Sequence, residues 1–146
     1  MKAPLKLWYD ICKRFSEQSK CQSRQVGCLI VQDGHLIAQG FNGAPSGSSC
    51  KECPRCNGGL KPTGTQLEQA ICTHAESNAI GYCARKGIHT EGATMYCLIT
   101  PCSECAKLII AAGISEIICF GEYDSAINGG LLGNAGVKVT VHGIQY

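Results

Sequence analysis

Charged residues are few in this chain, 16% of 146, and nearly balanced at a net charge of +2. No Lys/Arg run occurs, so the sequence offers no phosphate-tracking surface of the kind that nucleic-acid binders carry. Aromatic residues, at 6%, are too sparse for a row of base-stacking platforms. No apolar run approaches the roughly 20 residues that a membrane-spanning helix needs. A signal-peptide core is also lacking, because Asp10, Lys13 and Arg14 interrupt the segment after the N-terminal charge. What remains is the profile of a soluble globular chain, 45% apolar, expected in the cytoplasm with residues 1–146 forming a single domain around one core. With neither membrane nor nucleic acid indicated, the expected partner is a small molecule, and a small anion needs only one or two cations.

Cysteine breaks this sparseness. Twelve occur, and in a cytosolic chain with CxxC spacings that number points to metal rather than to a disulfide framework. Cys12, Cys28, Cys83, Cys97 and Cys119 lie inside apolar periodic stretches, where free cysteine behaves as a small buried hydrophobe. Cys102 and Cys105 form a CxxC pair. Cys21, Cys50, Cys53, Cys56 and Cys72 lie in or beside polar segments rich in Gly, Ser and Pro.

Leu5, Trp8, Cys12 and Phe15 recur at helical spacing. Two apolar runs, 26–31 and 36–41, flank Gln32-Asp33-Gly34 and predict a β-hairpin. Residues 43–66 are dense in glycine and proline, and a structureless stretch of that length needs something to hold it, for which metal is the candidate. This cysteine-rich insert extends over about 43–72. A helical pattern returns over 73–85 with Thr73 as N-cap and Gly87 past the end. Strands are predicted at 94–100, 116–120 and 137–141, with a helix at 103–112 stopped by Gly113. A βαβαβ run after a hairpin predicts a three-layer α/β/α sandwich with one mixed five-stranded sheet and helices on both faces.

His74-Ala75-Glu76 opens one of these helices and Pro101-Cys102-Ser103-Glu104-Cys105 opens the other. Cys102 and Cys105 straddle a strand-to-helix turn, so both sulfurs can reach one metal at about 2.3 Å. Backbone N–H groups and the positive end of the helix dipole favour their thiolates. His74, from a different helix, supplies a third ligand and leaves the last tetrahedral position to water. A histidine and two cysteines, with a glutamate two residues past the histidine, form the working set of the zinc deaminases. Zinc lowers the pKa of its water from about 15.7 to about 7. Glu76 would carry the water proton to ring nitrogen N3 during attack at C4, then a second proton to the departing amino group. The plain alternative makes His74 a helix cap, Glu76 a solvated side chain and the cysteine pair a structural knuckle. Each motif alone is weak evidence, but the two in this order, each opening a helix, are jointly specific.

With these motifs the chain resembles the deoxycytidylate deaminase family of the cytidine deaminase-like fold. The resemblance covers nearly the whole chain. It includes Ser23-Arg24-Gln25-Val26-Gly27, Gly40-Phe41-Asn42-Gly43-Ala44-Pro45-Ser46-Gly47, the segments from Cys72 and from Thr100 that hold the zinc motifs, and Glu122-Tyr123-Asp124. The GFNGxPxG segment is the discriminating one, since general cytidine deaminases and tRNA adenosine deaminases usually lack it. The resemblance implies hydrolysis of dCMP to dUMP and ammonia, with Asn42 hydrogen-bonded to the nucleotide and Tyr123 near its base and sugar. By spacing alone Asn42-Gly43 is a turn dipeptide and Tyr123 a loop aromatic. For the phosphate, Arg24 is the candidate cation because guanidinium pairs bidentately with phosphate. Ser23, Lys107 and residues of a neighbouring subunit are alternatives.

Some family members carry a second, structural zinc. Cys21, Cys50 and Cys72 match its ligand positions, and Cys53 or Cys56 would complete an all-sulfur tetrahedron pinning the glycine-rich loop. Reduced, partly exposed thiols are the alternative. The resemblance further implies a hexamer that is activated by dCTP, inhibited by dTTP and supplies dUMP for thymidylate synthesis. Turnover of dCTP as well as dCMP is a variant of this reading. A nucleic-acid cytosine or adenine deaminase would share the chemistry but need a basic groove. A non-enzymatic zinc-binding interaction module would have no need of Glu76.

Overall fold

A computed structural model describes residues 5–57, 67–122 and 126–143. Along the chain the elements run α1 (Leu5–Ser16), β1 (Gly27–Gln32), β2 (His35–Phe41), the short α2 (Pro54–Asn57), α3 (Ala75–Lys86), β3 (Thr94–Ile99), α4 (Ser103–Ala111), β4 (Glu116–Gly121), α5 (Ala126–Asn134) and β5 (Lys138–Val141). The expected hairpin forms because Asp33 and Gly34 both adopt positive φ, 52° and 80°. Asp-Gly tolerates that backbone, which a two-residue turn of type I′ requires. Pairing of β1 with β2 and with β3 is antiparallel, and that of β3 with β4 and β4 with β5 is parallel, in the order β2-β1-β3-β4-β5.

Period-two alternation divides the apolar residues between the sheet's two faces. Cys28, Ile30, Met95, Cys97, Ile117 and Cys119 face α3, α4 and α5, which contribute Ala79, Ile80, Cys83, Ala106, Ile109 and Leu132. Leu29, Val31, Tyr96, Leu98 and Phe120 face Trp8 and Cys12 of α1. Trp8 stacks on Tyr96 at 5.5 Å between centroids, and Tyr9 meets Phe120 edge-on at 5.1 Å. Such pairs contribute about 0.5–1.5 kcal/mol each beyond burial. The sandwich is therefore three-layered and its sheet mixed, as the sequence predicts. Cys12, Cys28, Cys83, Cys97 and Cys119 are all buried.

Two details depart from the sequence reading. Thr73 is not the N-cap of α3. It exchanges two backbone hydrogen bonds with Gly43, at 2.8 and 3.1 Å, and this bridge delays the helix so that His74 becomes its N-cap. The second departure is α5, which the apolar period does not place because Gly129, Gly130 and Gly133 interrupt it. Parallel pairing of β4 and β5 needs a crossover, and Leu132, 1% exposed, anchors this one against the core.

One glycine sets how closely α3 approaches the sheet. A Cβ on Gly40 of β2 would collide with the Ala75 carbonyl oxygen and lie 2.9 Å from the Ala79 nitrogen. Gly40→Ala should therefore lower stability by about 1–3 kcal/mol in urea unfolding. Gly81→Ala, in the middle of α3 with nothing within 4 Å of the added Cβ, should raise it by about 0.5–1 kcal/mol. Equal responses of the two variants would contradict this packing.

Candidate active site

The start of β1 and the ends of β2 and β3 lie at one edge of the sheet, and α3 and α4 both begin there. His74 is the N-cap of α3 with extended backbone (φ −70°, ψ 156°), and Cys102 is the N-cap of α4 in the same conformation (φ −71°, ψ 172°). Neither side chain caps its own helix, which leaves imidazole and sulfur to face each other. His74 Nδ1 lies 3.4 Å from the sulfurs of both Cys102 and Cys105. Among the described residues this is the group of His, Cys, Asp or Glu side chains whose donor atoms all lie within 4.8 Å of one another. A tetrahedral zinc with bonds of about 2.3 Å to sulfur and 2.05 Å to nitrogen places such donors about 3.6 Å apart. The donor set fits zinc in both chemistry and spacing.

Electrostatics favour the same reading. The Cys105 thiol donates to Cys102, and His74 adds to the effect, holding the Cys102 thiol down at about 3 despite burial. Cys105, keeping the proton, is pushed up in turn. Both helix N-termini supply partial positive charge here. Glu76, in the first turn of α3, is 4% exposed. Burial raises its pKa, opposed by its own backbone N–H and by His74, which suits a group that must both take and return a proton. Ser77 Oγ lies 3.6 Å from Cys105 Sγ, the Cys28 thiol donates to the Ala75 carbonyl at 3.2 Å, and Asn78 Nδ2 donates to the Phe41 carbonyl at 2.8 Å. These contacts fix the first turn of α3 against α4 and the sheet.

A cleft opens over this trio, with Ser23, Arg24, Asn42, Arg55 and Thr100 in its walls. Asn42 Oδ1 accepts from the Val26 N–H at 2.9 Å, and its Nδ2 donates to the Arg24 carbonyl at 2.8 Å. The amide thus braces the loop before β1 and keeps one N–H and one lone pair for the cleft. Arg55 donates to Ser23 Oγ at 3.2 Å. Lys107 is instead exposed on α4, paired with Glu104 at 2.9 Å. Tyr123 lies outside the described residues. The motifs did not single out Ser77, Asn78 or Arg55, because each acts through a contact between distant segments.

Four of the five remaining cysteines, Cys21, Cys53, Cys56 and Cys72, influence one another's thiols. Burial opposes it, yet the N–H groups of Ile71, Cys56 and Arg55 and the Cys56 thiol converge on Cys53 and hold its thiol below the ordinary range. Cys21 lies within hydrogen-bonding reach of both Cys56 and Cys72. Burial and these neighbours push Cys56 up to about 11 and Cys72 up to about 12. Cys50 acts on Cys72 through its charge.

Residues 3–121 match the cytidine and deoxycytidylate deaminase zinc-binding region. The chain belongs to this family. It is 36% identical to the deoxycytidylate deaminase of Schizosaccharomyces pombe over 85% of its own length and 39% of that protein's. To the deoxycytidylate deaminase of Enterobacteria phage T2 it is 34% identical, over 85% of this chain and 84% of the phage protein. The chain accordingly spans about two fifths of the fission-yeast relative and most of the phage one. It superposes on the dCMP deaminase of cyanophage S-TIM5, solved with dCMP and dUMP, with a TM-score of 0.80 at 30% identity, over 97% of this chain and 98% of that one. The mixed five-stranded sheet with its helices is the cytidine deaminase-like fold. Within the family's zinc-binding region, Asn42 has a structural duty that can be measured separately from any ligand. Asn42→Ala leaves the Val26 N–H and Arg24 carbonyl without this partner and should cost about 1–3 kcal/mol in urea unfolding, whereas an unchanged midpoint would contradict the brace.

Proposed function

We propose that the chain is a zinc-dependent hydrolase that converts dCMP to dUMP and ammonia. The observation that carries the reading is His74 Nδ1 at 3.4 Å from two cysteine sulfurs, with the buried carboxyl of Glu76 at the same cleft. His74, Cys102 and Cys105 hold the metal, and bound zinc supplies a water acidic enough to be a nucleophile near neutral pH. Glu76 would take one proton from the attacking water and give it to ring nitrogen N3, then carry the remaining hydroxyl proton at C4 to the amino group, which leaves as ammonia while the C4 carbonyl forms. Because Glu76 binds no metal, proton transfer and metal retention are separable. Asn42 supplies its remaining N–H and lone pair to the nucleotide, Ser23 and Arg24 serve the phosphate, and the contact of Tyr123 with base and sugar rests on the family resemblance alone.

The five-cysteine insert is read as a second, structural zinc site. Support comes from the converging N–H groups on Cys53 and the thiol contacts linking Cys21, Cys53, Cys56 and Cys72. These four are its proposed ligands and Cys50 the fifth thiol of the insert. Cys56→Ser should lose one equivalent of zinc by elemental analysis, and Cys50→Ser none; the reverse pattern would exchange their roles. All twelve cysteines are free thiols, which suits a reducing cytoplasm. The single domain rests on length and composition, and the finer readings of a hexamer activated by dCTP, inhibited by dTTP and supplying dUMP for thymidylate synthesis rest on the family resemblance.

Ammonia release from dCMP, dCTP, deoxycytidine and a cytosine-containing oligonucleotide tests the proposal. Selective turnover of dCMP is expected. Activity on the oligonucleotide alone, or none with zinc intact, would overturn it. Glu76→Gln should lower kcat by about a hundredfold or more, as loss of a general acid–base does, with zinc content unchanged. Loss of zinc together with fold would make Glu76 structural.

A further inference from the structure

No motif announces Arg55, yet among the described residues it is a buried cation. It sits in α2 between Cys53 and Cys56, is 7% exposed, and lines the cleft that holds His74, Glu76 and Cys102. Its Nη1 donates to Ser23 Oγ at 3.2 Å, joining segments 32 residues apart. Among the described residues that line the cleft, Arg24 and Arg55 are the arginines and Glu76 the one carboxylate. Glu76 is occupied with proton transfer, which leaves the two guanidinium groups as the cationic groups of the described wall for an anionic part of the ligand.

The two arginines are not equivalent. Arg24 is exposed, so an anion there competes with solvent for the guanidinium. Arg55 is already ordered and largely stripped of water, so engaging an anion costs little further ordering. Its location is set by the cysteine turn, because its own N–H and that of Cys56 point at Cys53 Sγ. The guanidinium fork can engage two phosphate oxygens at once, which an ammonium cannot. The Ser23 hydroxyl beside it has a further hydrogen bond to give.

We propose that Arg55, with Ser23, is the seat of the nucleotide's 5′-phosphate and the residue that makes this cleft prefer a nucleoside monophosphate to a nucleoside. The proposal rests on the reading of the cleft as a cytosine-nucleotide site. It also gives the cysteine cluster a part in substrate recognition, since the turn that gathers the thiols aims the guanidinium.

The test compares dCMP and deoxycytidine, by calorimetric binding and by turnover, for the wild type, Arg55→Met and Arg55→Lys, each checked for zinc content and thermal midpoint. Arg55→Met should raise Kd and KM for dCMP by roughly 10- to 100-fold, the range of a lost charge-assisted hydrogen bond. It should leave kcat and deoxycytidine binding near the wild type, because a contact made equally in ground and transition states moves KM alone. Arg55→Lys, which keeps charge and bulk, should fall between and carries the test if the methionine variant does not fold. Unchanged dCMP binding in either folded variant would overturn the proposal, as would equal weakening of dCMP and deoxycytidine, the mark of a purely structural arginine. Arg55-dependent dCMP binding by a wild type that releases no ammonia would leave the phosphate seat standing and remove the deaminase reading.

Discussion

The contact between Gly40 of β2 and the Ala75 carbonyl, with Ala79 just behind it, fixes where α3 begins, and everything chemical in this chain depends on that position. Any side chain at 40 would push the first turn of α3 outward, carrying His74 and Glu76 away from Cys102 and Cys105. The Cys28 thiol on the same carbonyl at 3.2 Å and the Asn78 amide on the Phe41 carbonyl at 2.8 Å hold the turn from two further sides. A buried carboxyl and two cysteine sulfurs are costly to gather in one place. They are tolerated here because two helix N-termini meet at the same edge of the sheet and supply N–H groups and positive potential.

The cysteines fall into environments of opposite consequence. Cys28 and Cys97, fully buried among apolar neighbours, have thiols pushed well up by burial and by hydrogen bonding to Cys119 respectively, with the charge of Glu76 adding to both. They serve as compact packing atoms between sheet and helices. At 102 and 53, converging donors reverse the effect and favour the thiolate. At these two positions hydrogen-bond donors outweigh burial. The Thr73–Gly43 bridge ties the cysteine-rich segment to the start of α3 mechanically, since Cys72 precedes it and His74 follows, while Asn42 adjoins its other strand.

Much of this was legible in the sequence because it is encoded locally. The apolar runs at 26–31 and 36–41, Asp33-Gly34 in the hairpin, Gly87 after α3, and the HAE and PCxxC motifs each declare themselves within a few residues. What was not legible depends on pairing across distance. Thr73 has the composition of an N-cap, but a bridge to Gly43 takes its backbone first. The helix α5 carries three glycines against its own propensity and exists because parallel β4 and β5 need a crossover that buries Leu132. Asn42 reads as either a turn residue or a ligand-binding one, and its amide braces the Arg24–Val26 loop from within the cleft wall. Arg55 looks like any surface arginine until Ser23 meets it.

The claim at the centre is that three side chains from two helix starts hold one zinc while Glu76 stays off the metal. An anomalous difference map recorded at the zinc edge, from crystals of the zinc-loaded protein, tests it directly. The account predicts a peak about 2.0–2.1 Å from His74 Nδ1 and about 2.3 Å from the sulfurs of Cys102 and Cys105, with the Glu76 carboxylate beyond bonding distance. A map with no zinc between these three donors, or with Glu76 as a ligand, would contradict it.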